Sequence, residues 1–277
     1  MPRYRGAPMS GALPTFVIIG AQKCGTTALH AYLARHPQVS MSRPKELDFF
    51  VEDGNWARGV DWYRSKFDPQ ARARGESSPN YTAHPHIPGV PERMAELVPD
   101  ARLIFMVRDP VDRVRANWIH TYSNRVEHRP MREAVLEQGS EYVSRSRYHM
   151  QLSRYLEHYP MERILILEQE ELLSARRQTL KRVFGFVGVR ENVWRETYKE
   201  ERLETSARRR KTPLGAFAAR QVSPRMWRRM RHRWPLSRPF EHPEIDHGLR
   251  AEIAALVRDD IARLRQLTGR EFASWSV

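Results

Sequence analysis

Near the start of the chain one short stretch collects the residues that bind and neutralise anions: Gly20-Ala21-Gln22-Lys23-Cys24-Gly25-Thr26-Thr27. A glycine turn that feeds a helix leaves free N–H groups at the helix start, and the dipole adds positive potential at the same point. Lys23 supplies a full charge, and the hydroxyls of Thr26 and Thr27 supply two further donors. The Gly20-to-Gly25 spacing equals that of a Walker loop. The lysine does not fit that pattern: it precedes the second glycine, which is followed by Thr-Thr instead of Lys-Ser/Thr. The bland alternative is a plain strand-to-helix turn with a solvent-facing lysine. Cys24 is the only cysteine, so no internal disulfide can form and nothing indicates an oxidising compartment. No histidine is adjacent to it in sequence, which favours a small residue packed under the turn over a nucleophile.

Other reactive types follow downstream. In Arg43-Pro44-Lys45-Glu46-Leu47-Asp48-Phe49-Phe50 the two phenylalanines should be buried, holding the charges before them at the edge of the core. Glu46 is by default a surface carboxylate, yet its place soon after a phosphate loop makes it a candidate base. Arg108-Asp109-Pro110 closes an apolar run, where open α/β sheets bind ligands; an arginine paired with Asp109 or a nearby carboxylate is the alternative. Trp62, His84 and Tyr148 are candidates for an acceptor cleft, each with a packing or surface reading of equal weight.

These residues need a scaffold. Phe16–Ile19, Ala101–Val107 and Arg163–Leu167 are nearly continuous apolar runs of the kind buried in parallel sheets. Helical periodicity follows each: Thr26 to about His36, Pro110 onward, and Leu172–Phe186. Strand, helix, strand, helix, strand, helix indicates an α/β, doubly wound sheet. Gly75–Tyr81 reads as a strand end and turn, Ala83–Pro91 as a proline-broken loop, and Met131–Tyr159 as a long polar helical zone. Leu249–Leu267 reads as an amphipathic helix stopped by Gly269.

The chain has 277 residues and a formal charge of +14. Its length suits one large α/β domain. The charge fits a polyanionic partner (nucleic acid, anionic membrane or phosphorylated ligand) or an arginine-rich solvated surface, and composition alone does not choose. Residues 1–14 carry no long apolar run, so a loose tail on a soluble, cytoplasmic protein is expected. Residues 205–240 interleave basic and aromatic residues, which suits either single-stranded nucleic acid or a lid over a charged nucleotide.

Gly20–Leu29 resembles the 5′-phosphosulfate loop of the sulfotransferases that use 3′-phosphoadenosine 5′-phosphosulfate (PAPS). The closer likeness is to the branch of heparan-sulfate and bacterial carbohydrate enzymes. Leu103–Asn117 resembles that family's 3′-phosphate-binding strand, loop and helix. Lys45–Phe50, Gly59–Tyr63, Gly75–Tyr81, Ile164–Gly188 and the C-terminal helix ending in Trp275 fit the same pattern in the same order.

The resemblance implies a parallel β-sheet flanked by helices in a P-loop NTPase-like three-layer sandwich. It implies one domain over 15–277 that includes the basic lid or acceptor region. It also implies PAPS as donor, 3′-phosphoadenosine 5′-phosphate (PAP) as product, and no metal. Lys23 and Glu46 would be catalytic. Gln22, Lys23, Cys24, Gly25, Thr26, Thr27, Arg108, Asn117, Arg210 and Lys211 would bind the nucleotide. The acceptor, a glycan or small molecule, would meet Trp62, Ser77, His84 and Tyr148, with neither nucleic acid nor membrane as partner.

Two departures stand out. The serine expected eight positions after Arg108 is Ala116, leaving Asn117 or Ser123 as substitutes. The lysine expected two residues before Pro79 is Ser77, which points to an acceptor unlike heparan sulfate. A P-loop kinase or other NTPase is the competing enzyme class, and a basic nucleic-acid-binding protein the competing binding class.

Overall fold

The structure, a computed structural model, describes residues 11–199, 209–223, 226–227, 230, 235–240 and 242–277. They group into two compact units, residues 1–107 with 150–201 and residues 108–149 with 202–277.

The first unit is built on a five-stranded sheet, ordered β2-β3-β1-β4-β5 and parallel at each pairing. The strands are β1 (Phe16–Gly20), β2 (Val39–Met41), β3 (Ala73–Ser77), β4 (Arg102–Val107) and β5 (Ile164–Glu168). Every residue of β1 is buried because it is central, with a neighbour on each edge and chain packed on both faces. β2 escapes the sequence pattern: Val-Ser-Met is three residues long and only Met41 is buried. Helix α1 (Thr26–Leu33) follows β1 and buries Ala28, Leu29, Tyr32 and Leu33; each large side chain removed from water contributes about 1.5–3 kcal/mol. It ends three residues earlier than the expected His36, well before Pro37.

Three further expectations shift. Helix α2 (Gly59–Arg64) precedes β3, and α3 (Val90–Leu97) begins inside the presumed 83–91 loop. Pro91 occupies its first turn, where the missing N–H costs nothing. The zone from 131 to 159 is three helices, α5 (Met131–Leu136), α6 (Glu141–Ser144) and α7 (Tyr148–Leu156), with Gly139, φ +76°, in the first of the two breaks. The expected 172–186 helix is likewise two, α8 (Gln169–Ser174) and α9 (Arg176–Phe186), broken at Ala175.

The second unit contains α4 (Pro110–Ser123), α5, α6, α10 (Pro213–Gln221) and α11 (His247–Thr268), with a two-stranded antiparallel ribbon of β6 (Arg210–Lys211) and β7 (Ser237–Arg238). Asp246 caps α11 by accepting from the Leu249 N–H at 2.7 Å, and Gly269 in the left-handed region ends it. Among the described residues no helix is long and apolar enough to cross a membrane.

Candidate functional site

Within the first unit three loops leave the carboxyl ends of the adjacent strands β2, β3 and β1. The loop after β1 is shaped by its backbone. Lys23 and Gly25 both adopt left-handed φ values, +71° and +87°. The Cys24 N–H bonds the Ala21 carbonyl at 3.2 Å and its thiol is fully buried, so Cys24 shapes the turn from beneath. The first helical carbonyl in use is that of Gly25, which accepts from Ala28 and Leu29. The N–H groups of Gly25, Thr26 and Thr27 therefore have no carbonyl one turn back. No side chain caps the helix and no acid lies in its first turn. A tetrahedral anion suits this vacancy of donors. Gly20 is sterically required: a Cβ there would lie 1.8 Å from Thr82 Oγ1.

The loop after β2 is built differently. Glu46 and Asp48 hold left-handed φ values of +66° and +45°, which cost roughly 1–2 kcal/mol per L-residue. Hydrogen bonds hold them there. The Glu46 N–H bonds the Ser77 carbonyl at 3.0 Å and the Asp48 N–H bonds Ser78 Oγ at 3.1 Å. The Phe50 N–H reaches Tyr81 Oη at 3.4 Å. The Glu46 carboxylate is half-exposed, 51%, and accepts from Lys45 Nζ. Phe49 and Phe50 are buried as expected, with Phe49 stacked on Tyr63 at 4.2 Å.

Beneath the Glu46 loop lies a residue the sequence reading passed over. Glu76, in β3, is fully buried and accepts from Tyr63 Oη at 2.6 Å, Tyr81 Oη at 2.9 Å and Ser78 Oγ at 3.2 Å. Desolvation pushes its pKa up to about 7, against the pull of these three donors. Burial and the carboxylate together drive both phenols well above their usual range. The available signal was a glutamate one residue past Gly75 in a strand bordered by β1, with tyrosines at 63 and 81. On α1, His30 is held near pKa 4 by burial, then by the positive fields of Lys45 and Arg43.

In the second unit, Asp109 caps α4 through the Asp112 N–H at 2.9 Å and also accepts from the Ser276 N–H at 2.5 Å. Arg108 is partly buried and 3.8 Å from Asp112. Asn117 is buried, and its Oδ1 has no hydrogen-bond partner among the described residues. Of the two candidate replacements, Ser123 already donates its hydroxyl hydrogen to the His120 carbonyl at 3.0 Å. Arg210 lies 3.9 Å from the Tyr122 ring and Lys211 5.3 Å from that of Trp227. Arg208 and Trp234 lie outside the described residues.

The expected acceptor residues separate. Trp62 is partly exposed and carries cations on its ring, with Arg58 at 4.5 Å and Lys66 at 4.7 Å. His84 is clamped through its backbone by Gln151, N–H at 2.9 Å and carbonyl at 2.7 Å. Ser77 is fully buried and offers the loop its carbonyl. Tyr148 corrects the expectation: it is fully buried, packs against Trp275 and donates to the Arg108 carbonyl at 2.9 Å, so it braces that arginine's backbone and does not line a cleft. Among the described residues no group of three or more His, Cys, Asp or Glu could hold a metal ion.

A family profile for the sulfotransferase domain matches residues 13–236. The chain belongs to the sulfotransferase family. Human heparan sulfate N-deacetylase/N-sulfotransferase 3 is 30% identical over 199 residues, covering 64% of this chain and 22% of that protein. Mouse heparan sulfate glucosamine 3-O-sulfotransferase 5 is 30% identical over 190 residues, covering 64% and 54%. This sulfotransferase chain thus spans about a fifth of the bifunctional relatives and about half of the 3-O enzyme. A solved sulfotransferase from Alicyclobacillus acidocaldarius superposes with a TM-score of 0.71 at 25% identity, covering 96% of this chain and all of that one.

Proposed function

We propose that this sulfotransferase moves a sulfuryl group from PAPS to a hydroxyl, in preference to an amine, of a carbohydrate or a sugar-bearing small metabolite. The observation that carries the reading is the start of α1: three first-turn amides, no side-chain cap, no acid, and Lys23 in the turn before it. These residues fit a 5′-phosphosulfate. When bound, the donor supplies an activated sulfuryl group on a phosphate leaving group.

This chain's residues then act by position and charge. The amides of Gly25, Thr26 and Thr27 hold the phosphate, with the threonine hydroxyls and Gln22 adding donors. The Lys23 ammonium balances negative charge as it grows on that phosphate. Glu46 takes the proton from the acceptor hydroxyl, and its exposure leaves it open to an incoming acceptor. By the resemblance, Arg108 and Asn117, with Arg210 and Lys211, serve the 3′-phosphate. A phosphate accepts hydrogen bonds, so the Asn117 amide N–H₂ is the group that would meet it.

Thermal shift with PAP, ATP-magnesium and an oligonucleotide tests the assignment. PAP at about 100 times its Kd should add about 2.7 kcal/mol of apparent stability, and Lys23→Ala should abolish most of the gain. Stabilisation by ATP-magnesium alone would overturn it in favour of a nucleotide kinase or NTPase. A gain with oligonucleotide alone, collapsing as salt rises, would favour nucleic-acid binding.

A further inference from the structure

Glu76 makes no contact that the proposed chemistry uses, yet it is bound to the Glu46 loop through two hydroxyls. One chain runs from the Asp48 N–H to Ser78 Oγ and from the Ser78 hydroxyl to Glu76 Oε2, at 3.1 and 3.2 Å. The other runs from the Phe50 N–H to Tyr81 Oη and from that phenol to Glu76 Oε1, at 3.4 and 2.9 Å. Tyr63 adds a third donor at 2.6 Å, and its ring stacks on Phe49 of the same loop.

A hydroxyl has one hydrogen. With the Ser78 and Tyr81 hydrogens drawn to Glu76, their lone pairs are left to face the loop amides. We propose that Glu76 is a positioning residue for Glu46: by drawing these two hydrogens inward, its carboxylate fixes the loop that presents Glu46 to the acceptor. This rests on the reading of Glu46 as the base.

A carboxylate accepts only, and here it already receives three O–H donors. Protonation turns one of its oxygens into a donor, so one of the three hydroxyls must turn over and the pull on the others weakens; where the one that turns is Ser78 or Tyr81, a loop amide loses its acceptor. The left-handed conformations of Glu46 and Asp48 then lose part of what holds them. The ionisable groups facing Glu76 are Tyr63 from α2, Tyr81 after β3, Asp48 from the loop, and Tyr155 from α7. The phenols stay protonated across neutral pH, leaving Glu76 itself to switch the network, near pH 7.

The test combines amide NMR with kinetics. In ¹⁵N-labelled protein the Asp48 and Phe50 amides should titrate together with a midpoint near 7, and both should stop titrating in Glu76→Gln. With ³⁵S-labelled PAPS and the best acceptor from a glycoside panel, Glu76→Gln should lower kcat on the order of 10²-fold, as for a misplaced catalytic group, with KM for PAPS unchanged. Its kcat should also be flat between pH 6 and 8, where the wild type falls on acidification. Because Glu76 acts through Glu46, the double variant with Glu46→Gln should be no slower than Glu46→Gln alone.

Amides that ignore the passage through pH 7, or wild-type kcat in Glu76→Gln, would overturn the proposal. Full kcat in Glu46→Gln would overturn the base assignment alone, since the amide titration still judges the relays. Should Glu76→Gln not fold, Ser78→Ala and Tyr81→Phe each cut one relay. Ser78→Ala must abolish the Asp48 titration and Tyr81→Phe that of Phe50, and persistence of either would overturn the inference.

Discussion

Two loops at one sheet edge solve the same problem by different means. The Lys23 loop after β1 holds its shape with backbone: a left-handed glycine, a left-handed lysine and a Cys24–Ala21 turn bond. The Glu46 loop after β2 has no glycine at either left-handed position and is braced from below by Ser78, Tyr81 and a buried carboxylate. A phosphate is gripped by main-chain donors, so its loop can be made of turns. A base needs its side chain free and its backbone fixed, which requires partners from elsewhere in the fold.

Kinetics should separate the chemistry from the frame. Glu46→Gln should lower kcat by about 10²- to 10⁴-fold, the usual loss for a positioned base. Lys23→Ala should cost about 10²- to 10³-fold, as for one electrostatic donor to a developing charge. Neither should move the midpoint of thermal unfolding by more than a degree or two, since Glu46 is half-exposed and the turn at Lys23 is set by its neighbours. A large fall in stability in either variant would mean that the residue is part of the frame.

Stability against pH sharpens the contrast next, because two titrating groups, His30 on α1 and Glu76 under the Glu46 loop, pull in opposite directions. On α1, which follows the Lys23 loop, His30 has its pKa lowered from 6.5 to about 4. The unfolded chain binds the proton more readily, so this contribution is complete above pH 6.5 and is lost as pH falls toward 4, worth about 3 kcal/mol. Under the Glu46 loop, Glu76 has its pKa raised from 4.5 to about 7. The native state binds that proton more readily, so stability is highest below pH 4.5 and falls as pH rises to 7, again by about 3 kcal/mol. The two slopes oppose each other between pH 4.5 and 6.5. Urea unfolding of His30→Leu should expose a decline with rising pH, and of Glu76→Gln an increase. Identical slopes in both variants would contradict the picture. The smallest effect belongs to Lys45→Gln, which removes the pair with half-exposed Glu46 and one of two positive fields on His30 and should change stability by less than about 1 kcal/mol.

The same contrast explains what could be read from the chain. Gly20, Lys23, Gly25 and the threonines lie next to one another in sequence, so their chemistry is local and shows in spacing. β1, β4 and β5 were legible because full or near-full burial writes a nearly continuous apolar run. β2 was not, since an edge strand of three residues carries almost no pattern. The 131–159 zone kept a helical period across its breaks, and one glycine at 139 interrupts it. Glu76 was invisible for a different reason. Its burial is imposed by Tyr63 and Tyr81, one of them thirteen residues away, and a lone glutamate at a strand end looks like any other. Tyr148 was an acceptor candidate with a packing reading of at least equal weight, and the fold realises the packing one, burying it as a bracket for the Arg108 carbonyl.

The most direct test of the anion-binding loop is a crystal structure of this chain with 3′-phosphoadenosine 5′-phosphate. The 5′-phosphate oxygens should lie about 3 Å from the amide nitrogens of Gly25, Thr26 and Thr27 and from Lys23 Nζ. A nucleotide bound elsewhere, or a lysine turned away from that phosphate, would contradict the account.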